Sequence, residues 1–376
     1  MMTPREQYLE TVLFGQPDRI PFSPGWGRKA TRDRWASEGM DAKKGPMQCV
    51  VETLGLEIPE PKQPRIDIGI NFRMDPVFEE KVLERKDGHL IVQDWKGNIC
   101  EISDEFDVTY LRSAIDFVTR RWIKCPVESR ADFEEIKKRY NPDSAGHFTE
   151  DFADRCKIAA GRDWPMTISV DGPFWVLREW CGFEGLCMMM IDDPELVDDM
   201  AEFYRQFVES MLERMLEHVV PDTLYISEDM AYKEKPMISR EMTRRWCMPS
   251  WVSWTKQVKQ AGVPTVMVDS DGRIDEIIPL WIEAGVNVCE PIEVAAGCDI
   301  VAYREQFGHK MAYTGGVDKR AIAKGGQVIL DELDRIAPVI RDGGFIPGCD
   351  HGVPHDISWP NFLHYCKRLA ELTGWL

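Results

Sequence analysis

The stretch PTVMVDSDGRIDEIIPLWIEAGVNVCEP, residues 264–291, decides the fold. An apolar run ending at Val268 leads into three aspartates, Asp269, Asp271 and Asp275. An amphipathic segment then runs to Gly285, and a second apolar run ends at Glu290. Strand, helix and strand at this spacing predict a parallel unit, because parallel neighbours need a crossover of about helix length. Carboxylates directly after a buried strand predict a solvated rim, since an unpaired charge is costly in a core.

The same alternation runs along the second half of the chain. Strands are predicted at MTISV (166–170), TLYIS (223–227), PTVMV (264–268), VNVCE (286–290), KMAYTGG (310–316) and GFIPGC (344–349). Helical patterns cover 192–219, 239–262, 273–285 and 327–344. Polar or glycine-rich residues follow every strand: VDG, SEDM, VDSDG, CEP, TGGVD, GCDHG. A closed barrel gathers its site from several strands at that rim. The predicted fold class is therefore α/β, a (β/α)8 TIM barrel with an N-terminal mixed extension. Residues 1–130 supply helices and mixed strands packed against the barrel and partly contributing to it, and 131–376 form its main part with the active-site rim.

The N-terminal portion reads less regularly. TPREQYLETVLFGQ (3–16) predicts an opening helix capped by Thr3, with Glu6 three residues on. PKQPRIDIGI (61–70) and EEKVLERKDGHLIVQDWKGNIC (79–100) predict strands and turns, the latter turning at Asp-Gly and Lys-Gly. GWGRKA (25–30) matches GxGxxA, but PFSP before it has two prolines and no βαβ unit follows, so it predicts no dinucleotide site.

Composition narrows the function. A net charge of -18 opposes binding to nucleic acid or an anionic membrane. The longest apolar run, GLCMMMI (185–191), is far too short to span a bilayer, and the N-terminus has no secretory apolar core. Eleven cysteines without a CxxC pair predict reduced thiols and a cytoplasmic location. Thirteen tryptophans and eighteen methionines fill a core first, yet leave material for an aromatic pocket.

The order of the rim motifs resembles the uroporphyrinogen decarboxylase superfamily, closer to its corrinoid-linked methyltransferases than to the decarboxylase proper. ISVDGPFWVL (168–177), LYISEDMAYKEKPMISREM (224–242), the long stretch from Ile278 to Ile322 and GGFIPGCDHGVPHDISWPNF (343–362) carry the resemblance. It covers 160–376 well and the first 130 residues loosely. In the methyltransferase branch a His-x-Cys pair and a later cysteine hold zinc. The matching positions here are Asp269, Asp271 and Cys349, a harder, more oxygen-rich set that still implies a divalent metal, with zinc first. The plain alternatives are a helix cap for the two aspartates and an inert buried thiol for Cys349.

The resemblance implies a corrinoid-dependent methyltransferase that moves a methyl group from a small methoxylated aromatic or methylated amine to a separate corrinoid protein. A homodimer is compatible with it. Glu228, Asp229 and His351 are the expected catalytic groups, and Phe174, Trp175, Trp180 and Trp359 the expected pocket lining. Arg28, in a segment resembling the decarboxylase's arginine pair with Arg32, is the expected anchor for a substrate carboxylate, although a solvated helix face explains it equally well. Two other readings stand beside this one: a metal-free decarboxylase or lyase, and a barrel that only binds a small molecule.

Overall fold

The computed structural model describes residues 1–113 and 118–376. The opening helix forms over Pro4–Val12. Thr3 Oγ1 accepts the Glu6 N–H at 3.2 Å and Glu6 accepts the Thr3 N–H at 2.7 Å, so each satisfies a donor the helix end would leave free. This helix lies across one end of the barrel. Its Tyr8 and Val12 pack on Met267, Val288, Ala312 and Ile346, and the Tyr8 hydroxyl sits 2.8 Å from Thr223 Oγ1. With that end plugged, the lumen opens at the C-terminal ends of the strands.

An antiparallel sheet follows: β1 (Lys81–Lys86), β2 (His89–Gln93), β3 (Ile99–Ser103) and β4 (Arg120–Lys124), in that order. Asp94 ties the β2–β3 turn, its Oδ1 accepting the N–H of Lys96 at 3.0 Å and of Asn98 at 2.9 Å. Residues 61–70, expected to hold strand, form no regular one. Asp67 Oδ1 captures the Gly69 N–H at 2.9 Å, and Gly69 takes φ 77, a turn that breaks the run.

All six predicted barrel strands form: β5 (Thr167–Asp171), β6 (Thr223–Ser227), β7 (Thr265–Asp269), β8 (Val288–Glu290), β9 (Ala312–Val317) and β10 (Phe345–Cys349). They pair in chain order as one parallel sheet. Beyond β10 runs the segment around Pro24, whose carbonyl accepts the Cys349 N–H at 3.3 Å, and Gly27 bridges Val353 in parallel. Beyond β5 lies the irregular segment 66–73, with a cavity of about 390 Å³ between the two. These N-terminal segments flank the two edges of the regular sheet. Trp35, Val50 and Phe72 share one hydrophobic core with Val170, Ile226 and Leu369, so the extension and the barrel bury a common interior. Among the described residues no helix is long and apolar enough to cross a membrane.

The plugged end is locked by a buried ion cluster. Asp222 is fully buried and accepts from Arg5 Nε at 2.8 Å, Arg162 Nε at 3.0 Å and the Met166 N–H at 2.8 Å. Removing one partner of such a group strands the other in low dielectric. Asp222→Ala should therefore destabilise the fold by about 3–5 kcal/mol, read from urea unfolding midpoints. A loss below about 1 kcal/mol would show that water reaches Arg162.

Candidate active site

Strands β5 to β8 pair without a slip, placing Asp171 opposite Ser227, Ser227 opposite Asp269, and Asp269 opposite Glu290. One strand further, Thr314 donates to Glu290. Side chains two residues apart on a strand share a face. This row thus faces the lumen, as do Tyr225 and Met267 one level below it. Gly315, at φ 86, has room for no Cβ, which would lie 2.1 Å from the Pro291 carbonyl. That close approach brings β9 against the end of β8.

The row is rich in carboxylates and poor in counter-charge. Burial first, then the charges of Glu290, Asp271 and Asp229, push the Asp269 carboxyl up to about 7. Ser227 Oγ donates to Asp269 at 3.3 Å, and the Tyr225 hydroxyl also reaches it. Arg73 pairs with the first member of the row, Asp171, at 3.5 Å, and the other nearby cations are engaged outside it: Arg178 with Asp229 at 3.0 Å, Lys319 with Glu293 at 2.9 Å and His351 with Asp271 at 3.2 Å. Among the described residues no cation pairs with Asp269 or Glu290. The charge of Glu290 on the adjacent strand thus favours the protonated form of Asp269.

The three aspartates of the opening stretch part company. Asp269 enters the lumen, Asp271 turns to His351, and Asp275 leaves the rim to bind Arg273 and the Tyr303 hydroxyl. The helix after them starts only at Ile278, so Asp271 does not cap it. Among the described residues no group of three or more His, Cys, Asp or Glu side chains is arranged to hold a metal ion. The clamp expected of Asp269, Asp271 and Cys349 is thus not assembled. Cys349 stays a buried thiol pushed up to about 12, chiefly by desolvation and then by Asp350, with the His351 N–H directed at it. The donor set does not fit a metal in this arrangement.

Of the expected catalytic groups, Asp229 and His351 stand at the mouth and Glu228 does not. Asp229 takes φ 41, a region uncommon outside glycine but one that aspartate enters more readily than most residues, and is held by Arg178. His351 Nε2 lies 3.2 Å from Asp271 Oδ2, and that hydrogen bond raises the His351 pKa. Glu228, one residue past Ser227, points away from the lumen. It accepts the N–H groups of Phe174 at 3.1 Å and Trp175 at 3.3 Å and the Trp251 indole at 2.5 Å. It anchors the start of the Pro173–Cys181 helix, and Gly172 makes room for it, since a Cβ there would lie 2.2 Å from its carboxyl carbon.

The expected aromatic lining is corrected in three of four cases. Phe174 is fully buried, and Trp180 donates to the Tyr140 hydroxyl at 3.2 Å within a ring cluster that includes Phe133 and Tyr204. The Trp359 ring packs tilted against Trp35, and its backbone N–H donates to Glu38 at 2.6 Å. All three lie on helix faces that pack inward, so they fill the core. Trp175 alone borders open space, a cavity of about 1180 Å³ between β4 and the helices Pro173–Cys181 and Phe183–Asp192. Arg28 lies at the start of the Lys29–Ser37 helix with its guanidinium 5.7 Å from the Trp26 ring centroid.

Sequence reasoning passed over Tyr225, Ser227, Glu290 and Thr314. Glu290 carried the available signal, since it ends its strand just as Asp269 ends the strand before. The buried carboxylate of Glu228 offers a test of its structural role. Its pKa is pushed up to about 8, mainly by burial, from an ordinary value near 4.5. A raised carboxyl contributes stability that is full below about pH 4.5 and lost as pH rises through 8. Glu228→Gln should remove that loss, so its urea midpoint should fall less than the wild type's between pH 5 and pH 8. Parallel slopes would refute the assignment.

No curated protein sequence matches the chain. Among solved structures it is similar to a methyltransferase from Methanosarcina mazei at 13% identity, covering 99% of both chains with a TM-score of 0.58. At that identity the likeness speaks for the fold. The uroporphyrinogen decarboxylase (URO-D) family pattern matches residues 114–371, which hold every barrel strand and the whole lumen row. The chain belongs to the uroporphyrinogen decarboxylase (URO-D) family.

Proposed function

We propose that this protein is a methyltransferase that takes a methyl group from a small methylated donor, a methoxylated aromatic or a methylated amine, and passes it to a corrinoid carried by a separate protein. Family membership and the shared fold of a methyltransferase support the reading. The observation that carries it is the Asp269–Glu290 pair, side by side on the lumen with no paired cation among the described residues. A mouth of this kind opposes a polyanionic substrate, which disfavours uroporphyrinogen decarboxylation. It suits a neutral or cationic donor.

The corrinoid, brought by its partner, supplies the nucleophile that accepts the methyl group. The chain's own residues handle what is left behind. When the carbon–heteroatom bond of an ether breaks, its electron pair stays on oxygen and needs a proton, which Asp269 holds near neutrality. Tyr225 and Ser227 keep the Asp269 oxygens oriented, and Thr314 does the same for Glu290. With an ammonium donor the departing amine is neutral and needs no proton, and the two carboxylates act only through their field, which favours entry of a cation over that of an anion.

The test is formation of methylcobalamin from free, reduced cobalamin, followed by absorbance with a panel of methoxyarenes and methylated amines. With an ether donor, activity should fall as pH rises through about 7, where Asp269 loses its proton. Asp269→Asn should lower the rate on the order of 100-fold and abolish that limb. Absence of methylcobalamin with every donor would overturn the reading.

A further inference from the structure

The β2–β3 turn and the Pro173–Cys181 helix meet around a single ammonium group. Lys96 Nζ lies 5.2 Å from the Trp95 ring centroid and 5.6 Å from that of Trp175, and it forms an ion pair with Glu179. Both ends of that ion pair are largely withdrawn from water, the Lys96 side chain 23% exposed and that of Glu179 17%. Two indoles and a carboxylate around one charge form the arrangement that recognises ammonium cations. Ring faces attract the charge without needing an N–H donor, so a fully methylated nitrogen is accepted as readily as a lysine.

Resting on the methyl-transfer reading, we infer that Trp95, Trp175 and Glu179 bind the methylated ammonium group of the donor, and that Lys96 fills this place until the donor displaces it. Lys96 is the group that can leave. It is a point charge on a flexible four-carbon stem, with one ion pair, to Glu179, among the described residues. Arg178, also over Trp175 at 4.7 Å, is fixed by two bonds, to the Asp229 carboxylate at 3.0 Å and the Asp229 carbonyl at 2.9 Å.

Position supports the role. Trp175 and Glu179 line the cavity of about 1180 Å³, which gives a small donor a way in. On the other side, Arg73 lies 5.5 Å from the Trp95 centroid and 3.5 Å from Asp171, the first member of the lumen row. The site thus connects through Arg73 to Asp171, at the edge of the lumen row and two strands from Asp269. A neutral methoxyarene has no charge with which to displace Lys96, so the inference selects methylated amines as the substrate class.

The experiment measures tetramethylammonium binding to the full chain by calorimetry and tryptophan fluorescence. Lys96→Met should bind the cation at least about tenfold more tightly than the wild type, because the competing charge is gone. Adding Trp175→Leu or Glu179→Gln to that variant should cost about tenfold or more, and the neutral isostere 3,3-dimethylbutanol should not bind. Lys96→Gln serves as the second vacated variant, and thermal unfolding confirms that each protein is folded. Equal affinity of the wild type and both Lys96 variants would overturn the inference, as would insensitivity to Trp175→Leu or equal binding of the alcohol. Binding is read without methyl transfer. Demethylation of methoxyarenes by a chain that ignores the cation discards this site alone, whereas cation binding without methylcobalamin formation discards only the proposed reaction.

Discussion

Four parallel strands, β5 to β8, pair without a register slip, and that constraint sets the level at which Asp171, Ser227, Asp269 and Glu290 stand. Neighbouring strands lie about 4.8 Å apart, so carboxylates at one level on adjacent strands are forced together whatever their charges prefer. The protein answers with hydroxyls rather than cations: Ser227 and Tyr225 on Asp269, Thr314 on Glu290. Hydroxyls satisfy the oxygens' hydrogen bonding and leave the charge unbalanced, which keeps Asp269 close to its titration point near neutrality.

The parity of the strand decides the next layer. Ser227 faces the lumen, so Glu228 faces the surrounding helices and becomes a fastening rather than a reagent. By accepting two N–H groups at the start of the Pro173–Cys181 helix it sets where Trp175 stands. Trp175 in turn meets a residue from a different part of the chain, because the tied β2–β3 turn delivers Trp95 and Lys96 to it. The aromatic and charged cluster around Lys96 is therefore assembled from the N-terminal sheet and the barrel together.

Much of the fold was legible. Six apolar runs with polar followers became six strands in the predicted places, because a fully buried parallel strand leaves a near-continuous apolar signature. Thr3 and Glu6 announced the opening helix for an equally local reason. The candidate site was legible only as a rim. Asp269 was found there, yet its partner Glu290 sits 21 positions on and joins it solely through strand pairing. Phe174, Trp180 and Trp359 suggested a pocket by type, but type does not say which helix face packs inward.

The sequence by itself determined where strands and helices begin, which ends are polar, and to which family the chain is similar, since each rests on residues within a few positions of one another. Tertiary structure alone decided that Asp269 meets Glu290 and Tyr225, that Asp271 turns to His351 while Cys349 stays apart, and that Lys96 stands between Trp95 and Trp175. The physical reason is that local patterns record burial and backbone preference, whereas charge, proton affinity and cation binding depend on through-space distances that only register and packing create.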